Sequence, residues 1–396
     1  MSLLNHSSVM RRMSEGVYIR GIGYHSAVCL YQLELQSVQV KGFLTMNPRI
    51  EMFRGIRVFD VSKEVSNDSF IVVATSESVY EEISNELRLI GKKEFIDFAY
   101  YSWLTKDLVL LHGNCHMAII RTYLQSSNSF QDQFAIYPYP LLLPITKEFR
   151  TEKEIFSYMD YWIHEDIRDD NMFGYKVSDS YIRSCFGKNT KEIIIPHLYG
   201  IGHILYPQSV PIKHGNEALN NGIDTDGMFL YGDSVIEKCL DEGMKISEIV
   251  KYCYGECIDK SEIIENFQRC LDKLASREKQ GNWDIKIYDF IYEKYKTAKL
   301  FYDEGHPTNI IFKYICSEIL KILGIEEKQI YCNDILDLQE LFVYPVVKST
   351  LGLDWNENEI RHKGRKLAAH MNFTEYVKEY IWWRHLDIFE VVNDID

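Results

Sequence analysis

A cysteine behind an apolar run is the residue of this chain best suited to covalent chemistry. Cys115 follows the apolar segment 108–112 and the pair Gly113-Asn114, and it begins a segment whose apolar residues have helical spacing. A strand end holds such a thiol in place, and the N–H groups of a helix start stabilise its thiolate. The surrounding amides would form an oxyanion hole for a tetrahedral intermediate. The pattern predicts a nucleophile at Cys115; an inert, buried packing cysteine is the alternative.

A histidine with an acidic neighbour supplies the second chemical group. Asp303 and His306 lie three positions apart in a segment that ends at Pro307. A carboxylate at this spacing orients the imidazole and fixes its tautomer, so that His306 acts as a general base toward a thiol or hydroxyl. Taken alone, His306 also fits an ordinary helix-start residue bonded to backbone. Together with Cys115, the segment predicts an acyl-transfer site.

The elements that position these residues alternate between strand and helix. Over the first hundred residues, the pattern predicts strands at 16–22, 38–45, 56–61, 70–74 and 95–100, with helices between them. The helix predicted before Gly91 is amphipathic, and a glycine there is typical of a helix end. Such alternation predicts a parallel sheet. We therefore expect an α/β protein that begins with a Rossmann-like parallel sheet domain at residues 1–106.

The first strand–helix junction of that domain is rich in small residues. Gly21 and Gly23 are separated by one position, and Ser26 stands where a dinucleotide fingerprint has its third glycine. Glycines let the backbone approach a pyrophosphate, and a helix N-terminus favours the anion. We interpret these three residues as candidates for binding a nucleotide or nucleotide-sugar, with a structural turn as the alternative. Residues 45–47 contain no acid to hold a ribose, which disfavours NAD chemistry.

A second domain is predicted at residues 107–330, and a helical C-terminal tail packed on it at 331–396. The apolar runs indicate strands at 108–112, 134–139, 159–164 and 192–195, followed by helical spacing over 233–274, 283–300 and 310–323. Strands followed by helices again indicate an α/β domain. Neither an internal repeat nor a low-complexity linker is visible in the sequence.

Composition limits the partners. The net charge is −14, with both signs spread along the chain, which argues against nucleic acid or an anionic membrane as the main partner. No window approaches the roughly 18 apolar residues of a membrane span. The nine cysteines and the lack of an apolar leader favour reduced thiols and a cytoplasmic location. We expect no metal site. Whether the protein forms a homo-oligomer is left open by the sequence.

The motifs resemble a known family. Leu110-Leu111-His112-Gly113-Asn114-Cys115-His116, the segment 191–199 with Pro196-His197-Leu198-Tyr199, and the segment 300–308 with Asp303-Glu304-Gly305-His306-Pro307 are similar to the WcbI-type polysaccharide biosynthesis acetyltransferases. The first and last segments also resemble the outer blocks of the SGNH hydrolase fold, with Cys115 in place of serine. The resemblance spans roughly 107–323 and leaves the N-terminal domain outside it.

The resemblance implies an SGNH-like α/β domain and a function. It implies transfer of an acetyl group from acetyl-CoA to a capsular or cell-surface polysaccharide or its sugar precursor, with coenzyme A as the acyl carrier and a glycan or sugar nucleotide as the partner. Two alternatives stay open. One is a thioesterase or glycan deacetylase with water as the acceptor. The other is a non-catalytic glycan- or nucleotide-sugar-binding assembly protein, in which the thiol would be unreactive.

Several further polar residues are weaker candidates for the same site. His116 adjoins the thiol, Asn171 has the type of an oxyanion donor but also fits a turn, and His197 follows a strand end. The pair His164-Glu165 fits either a second acid/base pair or an ordinary polar edge of the sheet.

Overall fold

The computed structural model describes residues 3–64, 69–138, 153–171, 174–211, 229, 231–326, 340–355, 360–362 and 369–394. The chain forms two compact units: Met1–Ile193 with Ile325–Glu327 (unit 1), and Ile194–Gly324 with Lys328–Asp396 (unit 2). This division does not test the domain boundaries expected near 106 and 330, which stay a prediction. Within the described ranges, no helix has the length and apolar character needed to cross a membrane.

The N-terminal sheet of unit 1 has six strands. They are β1 (Val17–Arg20), β2 (Val40–Thr45), β3 (Met52–Phe53), β4 (Ile56–Asp60), β5 (Phe70–Val73) and β6 (Phe98–Tyr100), in the order β3-β4-β2-β1-β5-β6. Every neighbouring pair is parallel except β3 with β4. Without β3, the order is that of a doubly wound sheet, and it reverses between β1 and β5. The expected α/β class and N-terminal parallel sheet are confirmed.

Local sequence explains most elements of this sheet. The strand β5 is buried along its whole length, as an apolar run in a central parallel strand requires. Helix Glu77–Leu89 buries Tyr80, Ile83 and Leu87 on one face, and it ends before Gly91, whose φ is +83°. The strand β3 is missing from the sequence prediction. It pairs with β4 through a tight turn at Arg54-Gly55, where both residues have positive φ, as a two-residue hairpin requires.

A second sheet has four strands. They are β7 (Asp107–His112), β8 (Phe134–Tyr137), β9 (Tyr161–Glu165) and β10 (Lys191–Ile195), in the order β10-β9-β7-β8. The strand β7 pairs in parallel with both β8 and β9. From β7 the chain passes through helix His116–Ser126 to β8 on one side of β7, whereas β9 pairs on the other side. The strand order therefore reverses between β7 and β9. In open α/β sheets, ligands bind at the carboxyl ends of strands beside such a reversal.

Further helices accompany the strands of unit 1. Its further α-helices are Ser7–Met13, Tyr24–Leu35, Val61–Glu64, Asn128–Gln133, Lys153–Phe156 and Asp179–Arg183. The predicted strands of both sheets agree with the structure to within a few residues, except that position 139 lies outside the described residues.

Unit 2 is built mainly of helices. They are Ser234–Asp241, Ile246–Cys253, Lys260–Gln280, Tyr288–Lys294, Asn309–Ile322, Pro345–Leu351, Phe373–Arg384 and Leu386–Val392. Two antiparallel hairpins accompany them, β11 (Ser209–Pro211) with β12 (Tyr231–Asp233) and β13 (Ile360–His362) with β14 (Ala369–Met371). The helical character expected of 233–274 and of the C-terminal tail is confirmed.

The long helix expected at 283–300 is wrong, because only Tyr288–Lys294 is helical. Residues before it are tied to another segment: the amide of Asp284 donates to the carbonyl of Ile194 at 2.9 Å, and the Asp284 carboxylate accepts from the amide of Ile194 at 2.7 Å. The Glu278 carboxylate accepts from the amide of Tyr288 at 2.7 Å and so caps the shortened helix. Tertiary pairing overrides the local helical spacing here.

A buried aspartate joins the C-terminal tail to the rest of unit 2. Asp233 accepts the hydroxyl hydrogen of Tyr344 at 2.8 Å, and its amide donates to the hydroxyl oxygen of Tyr380 at 2.9 Å. Its other carboxylate oxygen accepts from the first amides of helix Ser234–Asp241. Burial raises the pKa of Asp233 to about 6, against these hydrogen bonds. The tail is therefore held by a polar network as well as by apolar packing.

Candidate active site

The turn after β7 leaves no room for a side chain at its first residue. A Cβ atom on Gly113 would lie 2.7 Å from Cγ of Met117 and 3.2 Å from Oε2 of Glu165. Met117 belongs to helix His116–Ser126, and Glu165 is the last residue of β9. Glycine at this position therefore allows β7, the helix and the end of β9 to meet closely.

Glu165 holds this turn together. Its side chain is 1% exposed; Oε2 accepts from the amide of Asn114 at 3.2 Å, and Oε1 lies 3.2 Å from Nδ1 of His116. The side-chain oxygen of Asn114 accepts from the amide of His116 at 2.8 Å, which closes an Asx turn. One buried carboxylate at the end of β9 thus fixes the residues on both sides of Cys115.

Cys115 is the N-cap residue of the eleven-residue helix His116–Ser126 and is partly exposed. The amides of Asn114 and His116 are engaged in the contacts just described. The amide of Cys115 donates to no acceptor among the residues that the structure describes. The turn therefore presents a thiol and one N–H group at the start of a helix, where the sulfur can meet a carbonyl carbon and the N–H group can donate to its oxygen.

His164, the last residue but one of β9, lies in a charged cluster. Its ring stacks on Trp162 with 3.5 Å between centroids, and its Nε2 lies 2.9 Å from Oε1 of Glu192. Burial alone would lower the pKa of His164, but contacts with Asp179 and Glu192 raise it above its usual value. These partners enclose the ring of His164. This geometry favours a polar edge of the sheet over a second acid/base pair.

The second predicted motif forms a tight loop in unit 2. Nδ1 of His306 lies 2.7 Å from Oδ2 of Asp303, while Oδ1 of Asp303 accepts from the amides of Gly305 and His306, each at 2.7 Å. The amide of Tyr302 donates to the carbonyl of His306 at 2.9 Å and closes the loop. One carboxylate therefore shapes the loop and orients the ring.

This arrangement sets the tautomer of His306. A neutral imidazole that donates Nδ1–H to Asp303 carries its lone pair on Nε2. The Asp303 side chain is 3% exposed and that of His306 is 19% exposed, so the acid is enclosed while the ring reaches the surface of unit 2. Such a pair can accept a proton at Nε2 while the carboxylate stabilises the charge that forms.

A residue that the sequence reasoning missed supports this loop. The carbonyl of Glu304 accepts from the amides of Gly200 and Gly202, at 3.0 and 3.1 Å. The Glu304 carboxylate, which is buried, accepts from the hydroxyl of Ser209 at 2.7 Å and lies 3.2 Å from Nε2 of His203. The sequence does show an acidic residue, Glu304, inside the segment that contains Asp303 and His306. It does not show which residues Glu304 contacts, because they lie about a hundred positions earlier in the chain.

Gly202→Ala is expected to displace the loop that carries Asp303 and His306. The added Cβ would meet the carbonyl oxygen of Asp303 and lie 2.8 and 2.9 Å from backbone atoms of Glu304, which cannot rotate away. We expect a loss of about 1–3 kcal/mol in the free energy of unfolding, measured by urea denaturation. Gly23→Ala, whose Cβ would meet nothing within 4 Å, is the steric control. Equal stability of the two variants would contradict the close packing of Gly202.

The other candidates have defined local surroundings. The side-chain amide of Asn171 donates to the carbonyls of Arg168 and Gly174, at 2.7 and 3.3 Å, and so closes its own turn. His197 is half-buried after β10, with its ring centroid 6.4 Å from that of Tyr199. These contacts explain local structure, and a part for either residue in catalysis stays a prediction.

The glycine turn of the N-terminal sheet lies at its strand reversal. Gly21 has φ +122°, and a Cβ on it would lie 2.8 Å from the carbonyl oxygen of Ala74 after β5. Gly23 precedes helix Tyr24–Leu35 in an extended conformation. Ser26 is buried and donates to the carbonyl of Ala74 at 3.2 Å, so it joins the helix to β5. Ligand binding by these residues stays a prediction.

The structure brings the predicted residues together in two groups. Gly113, Asn114, Cys115 and His116 form one turn in unit 1, and Asp303 and His306 form one loop in unit 2. The approach of the thiol to the imidazole stays a prediction.

Fold and local geometry together define an α/β protein with a cysteine turn at the reversal point of a parallel sheet and a separate Asp–His loop. Residues 108–328 match the family model described as polysaccharide biosynthesis enzyme WcbI. This match covers more than half of the chain, and the chain therefore belongs to the WcbI family of polysaccharide biosynthesis enzymes.

One solved structure shares the fold. It is described as WcbI, a novel polysaccharide biosynthesis enzyme, as native protein without a disulfide bond between coenzyme A and a cysteine. It is 17% identical to this chain with a TM-score of 0.57, and the alignment covers 72% of this chain and 94% of that one. No curated protein matches the sequence.

Proposed function

We propose that this protein is a CoA-dependent acetyltransferase that acts on a capsular or cell-surface polysaccharide or on its sugar precursor. The observation that carries the proposal is the Cys115 turn, which offers a partly exposed thiol and an N–H group at the carboxyl end of a parallel sheet. Membership of a polysaccharide biosynthesis family supports the glycan substrate.

The solved relative supports coenzyme A as the acyl carrier. Its description names coenzyme A together with a cysteine near the start of that protein, as native protein without a disulfide bond between the two. Cys115 lies seven residues after the first position matched by the family model. We infer that Cys115 is the counterpart. The sheet order β10-β9-β7-β8 supports the SGNH-like interpretation, with cysteine where those hydrolases have serine.

The proposed chemistry is acyl transfer to a hydroxyl. Acetyl-CoA supplies the acetyl group as a thioester. Nε2 of His306 removes the proton of the acceptor hydroxyl, whose oxygen forms a bond to the acetyl carbon, while the amide of Cys115 donates to the oxyanion. When the C–S bond breaks, the thiolate leaves and takes up the proton from His306. In the two-step form, the thiolate of Cys115 attacks the acetyl carbon first, the C–S bond to CoA breaks and CoA leaves as its thiolate. The sugar hydroxyl, deprotonated by His306, then attacks the acetyl-cysteine and releases the Cys115 thiolate, and the proton on His306 passes to the CoA thiolate. Either form requires Cys115 and His306 to face one pocket.

We propose a second ligand for the N-terminal Rossmann-like sheet. The turn at Gly21 and Gly23 lies at the strand reversal between β1 and β5, where doubly wound folds bind nucleotides. A nucleotide or nucleotide-sugar would approach the backbone there. The Ser26 hydroxyl donates to the carbonyl of Ala74 and so positions the helix at this turn, and its contact with the ligand stays a prediction.

Release of CoA from acetyl-CoA, with and without glycan acceptors, tests the proposed function. A transferase releases CoA in proportion to acetylated sugar and only when an acceptor is present. Release without any acceptor would indicate a thioesterase instead, and removal of acetate from an acetylated glycan would indicate a deacetylase. No turnover, together with an unreactive Cys115 thiol, would indicate a binding protein and would contradict the proposal.

A further inference from the structure

A basic pocket lies in unit 2 beside the loop that carries His306. It has a volume of about 300 Å³. Helix Lys260–Gln280 forms one wall through Asn266, Arg269 and Lys273, and residues 200–209 form the other.

The charges of the helical wall have few partners. Arg269 and Lys273 are four positions apart, so they lie on the same face of the helix, where like charges destabilise it. Arg269 donates to the side-chain oxygen of Asn266 at 2.6 Å. In the described part of the chain, neither cation forms an ion pair with a carboxylate. Glu265 and Asp272 lie on the same helix, four positions before and three positions after Arg269, but in the described part of the chain neither forms an ion pair with these cations.

A buried carboxylate, Glu304, lies behind the opposite wall. It accepts from the hydroxyl of Ser209 and lies 3.2 Å from Nε2 of His203, so residues of that wall already contact it. Asn266 is also buried and donates to the carbonyl of His203 at 2.6 Å, which fixes the helix against the wall. The pocket is therefore lined by two cationic side chains, Arg269 and Lys273, on a helix that Asn266 fixes to the opposite wall.

The pocket adjoins the predicted general base through Glu304. Gly200 and His203 line the pocket, and both contact Glu304, which precedes His306 by two positions. A ligand in the pocket would consequently lie near the loop that orients the imidazole.

We propose that this pocket binds a phosphate group of a phosphorylated substrate, with Arg269 and Lys273 as its ligands. Arginine offers a fork of N–H donors to phosphate oxygens and lysine offers a mobile point charge. The proposal rests on the proposed function, because both of its substrates can carry phosphate: the acyl donor contains CoA, and an acceptor activated as a sugar nucleotide contains a diphosphate. The phosphate ester is the chemistry common to both sources.

Calorimetric titration of the full chain and of the double variant Arg269→Gln/Lys273→Gln tests the proposal. The ligands are CoA, dephospho-CoA, pantetheine and a uridine diphosphate sugar, with pyrophosphate as competitor. We expect the double variant to bind the phosphorylated ligand at least about tenfold more weakly, with a smaller dependence on salt, because charge-assisted hydrogen bonds are lost. Pantetheine, which lacks phosphate, is expected to bind both proteins equally. The double variant Lys260→Gln/Lys279→Gln, which changes two exposed lysines of the same helix outside the pocket, is the charge-matched control.

The ligand series separates the possible outcomes. Weaker binding of CoA in the double variant identifies the acyl donor as the source of the phosphate. Weaker binding of the sugar nucleotide alone identifies the acceptor. Acetyl transfer by the wild type with unchanged affinities in the double variant would overturn this inference and leave the proposed function intact. Failure of the wild type to bind any phosphorylated ligand would overturn the phosphate site itself.

Discussion

Cys115→Ala is expected to reduce acetyl transfer by about a thousandfold or more, whether the thiol carries the acetyl group or positions the donor. The thiol stands at the start of helix His116–Ser126, and Gly113 and Glu165 hold its turn rigidly. Alanine removes the sulfur and keeps the backbone, so the fold should persist. Initial rates with acetyl-CoA and a glycan acceptor measure the loss, and unfolding curves check the fold.

Two comparisons make the cysteine prediction specific. Cys257→Ala removes another partly exposed thiol and should leave the rate unchanged. Labelling at neutral pH should modify Cys115 ahead of the five buried thiols, because it is partly exposed; the buried thiols are Cys29, Cys185, Cys239, Cys253 and Cys316. A trapped acetyl group on Cys115 would distinguish the two-step form from direct transfer. Near-wild-type turnover of the alanine variant would contradict any part for Cys115 in the chemistry.

His306→Ala is expected to lower the transfer rate by about 10²- to 10⁴-fold, the usual contribution of a positioned general base. Asp303→Asn should cause a loss of similar size for a different reason. An amide can still accept from the loop amides that Oδ1 of Asp303 holds, but its NH₂ group would face Nδ1 of His306 and favour the wrong tautomer. Rates across pH separate the two effects, since the alanine variant should lose the base-dependent limb entirely.

The exposed His370 provides the matched control for the histidine prediction, and His370→Ala should behave as wild type. Wild-type rates in both His306→Ala and Asp303→Asn would refute the assignment of the base. A loss in Asp303→Asn accompanied by a large fall in unfolding free energy would instead assign the carboxylate to loop stability.

Hydrophobic patterning predicted the strands of both sheets because burial of an apolar run is a local property. The same reasoning overestimated the helix at 283–300, where Asp284 pairs with the backbone of Ile194. The sequence prediction also missed the β3–β4 hairpin, because Arg54-Gly55 is a weaker turn signal than the usual Asn-Gly. Sequence spacing alone also predicted the Asp303–His306 contact, because residues three apart in a tight loop are close in any fold.

Residue types and short spacings determined the family, the α/β class, the cysteine turn and the Asp–His pair, since each depends on neighbours within a few positions. Tertiary structure alone decided that Glu165 holds the Cys115 turn, that Glu304 anchors the loop of His306, and that Arg269 and Lys273 line a pocket. These contacts join segments from about fifty to a hundred positions apart. Their pairing depends on strand order and loop closure, which no local periodicity encodes.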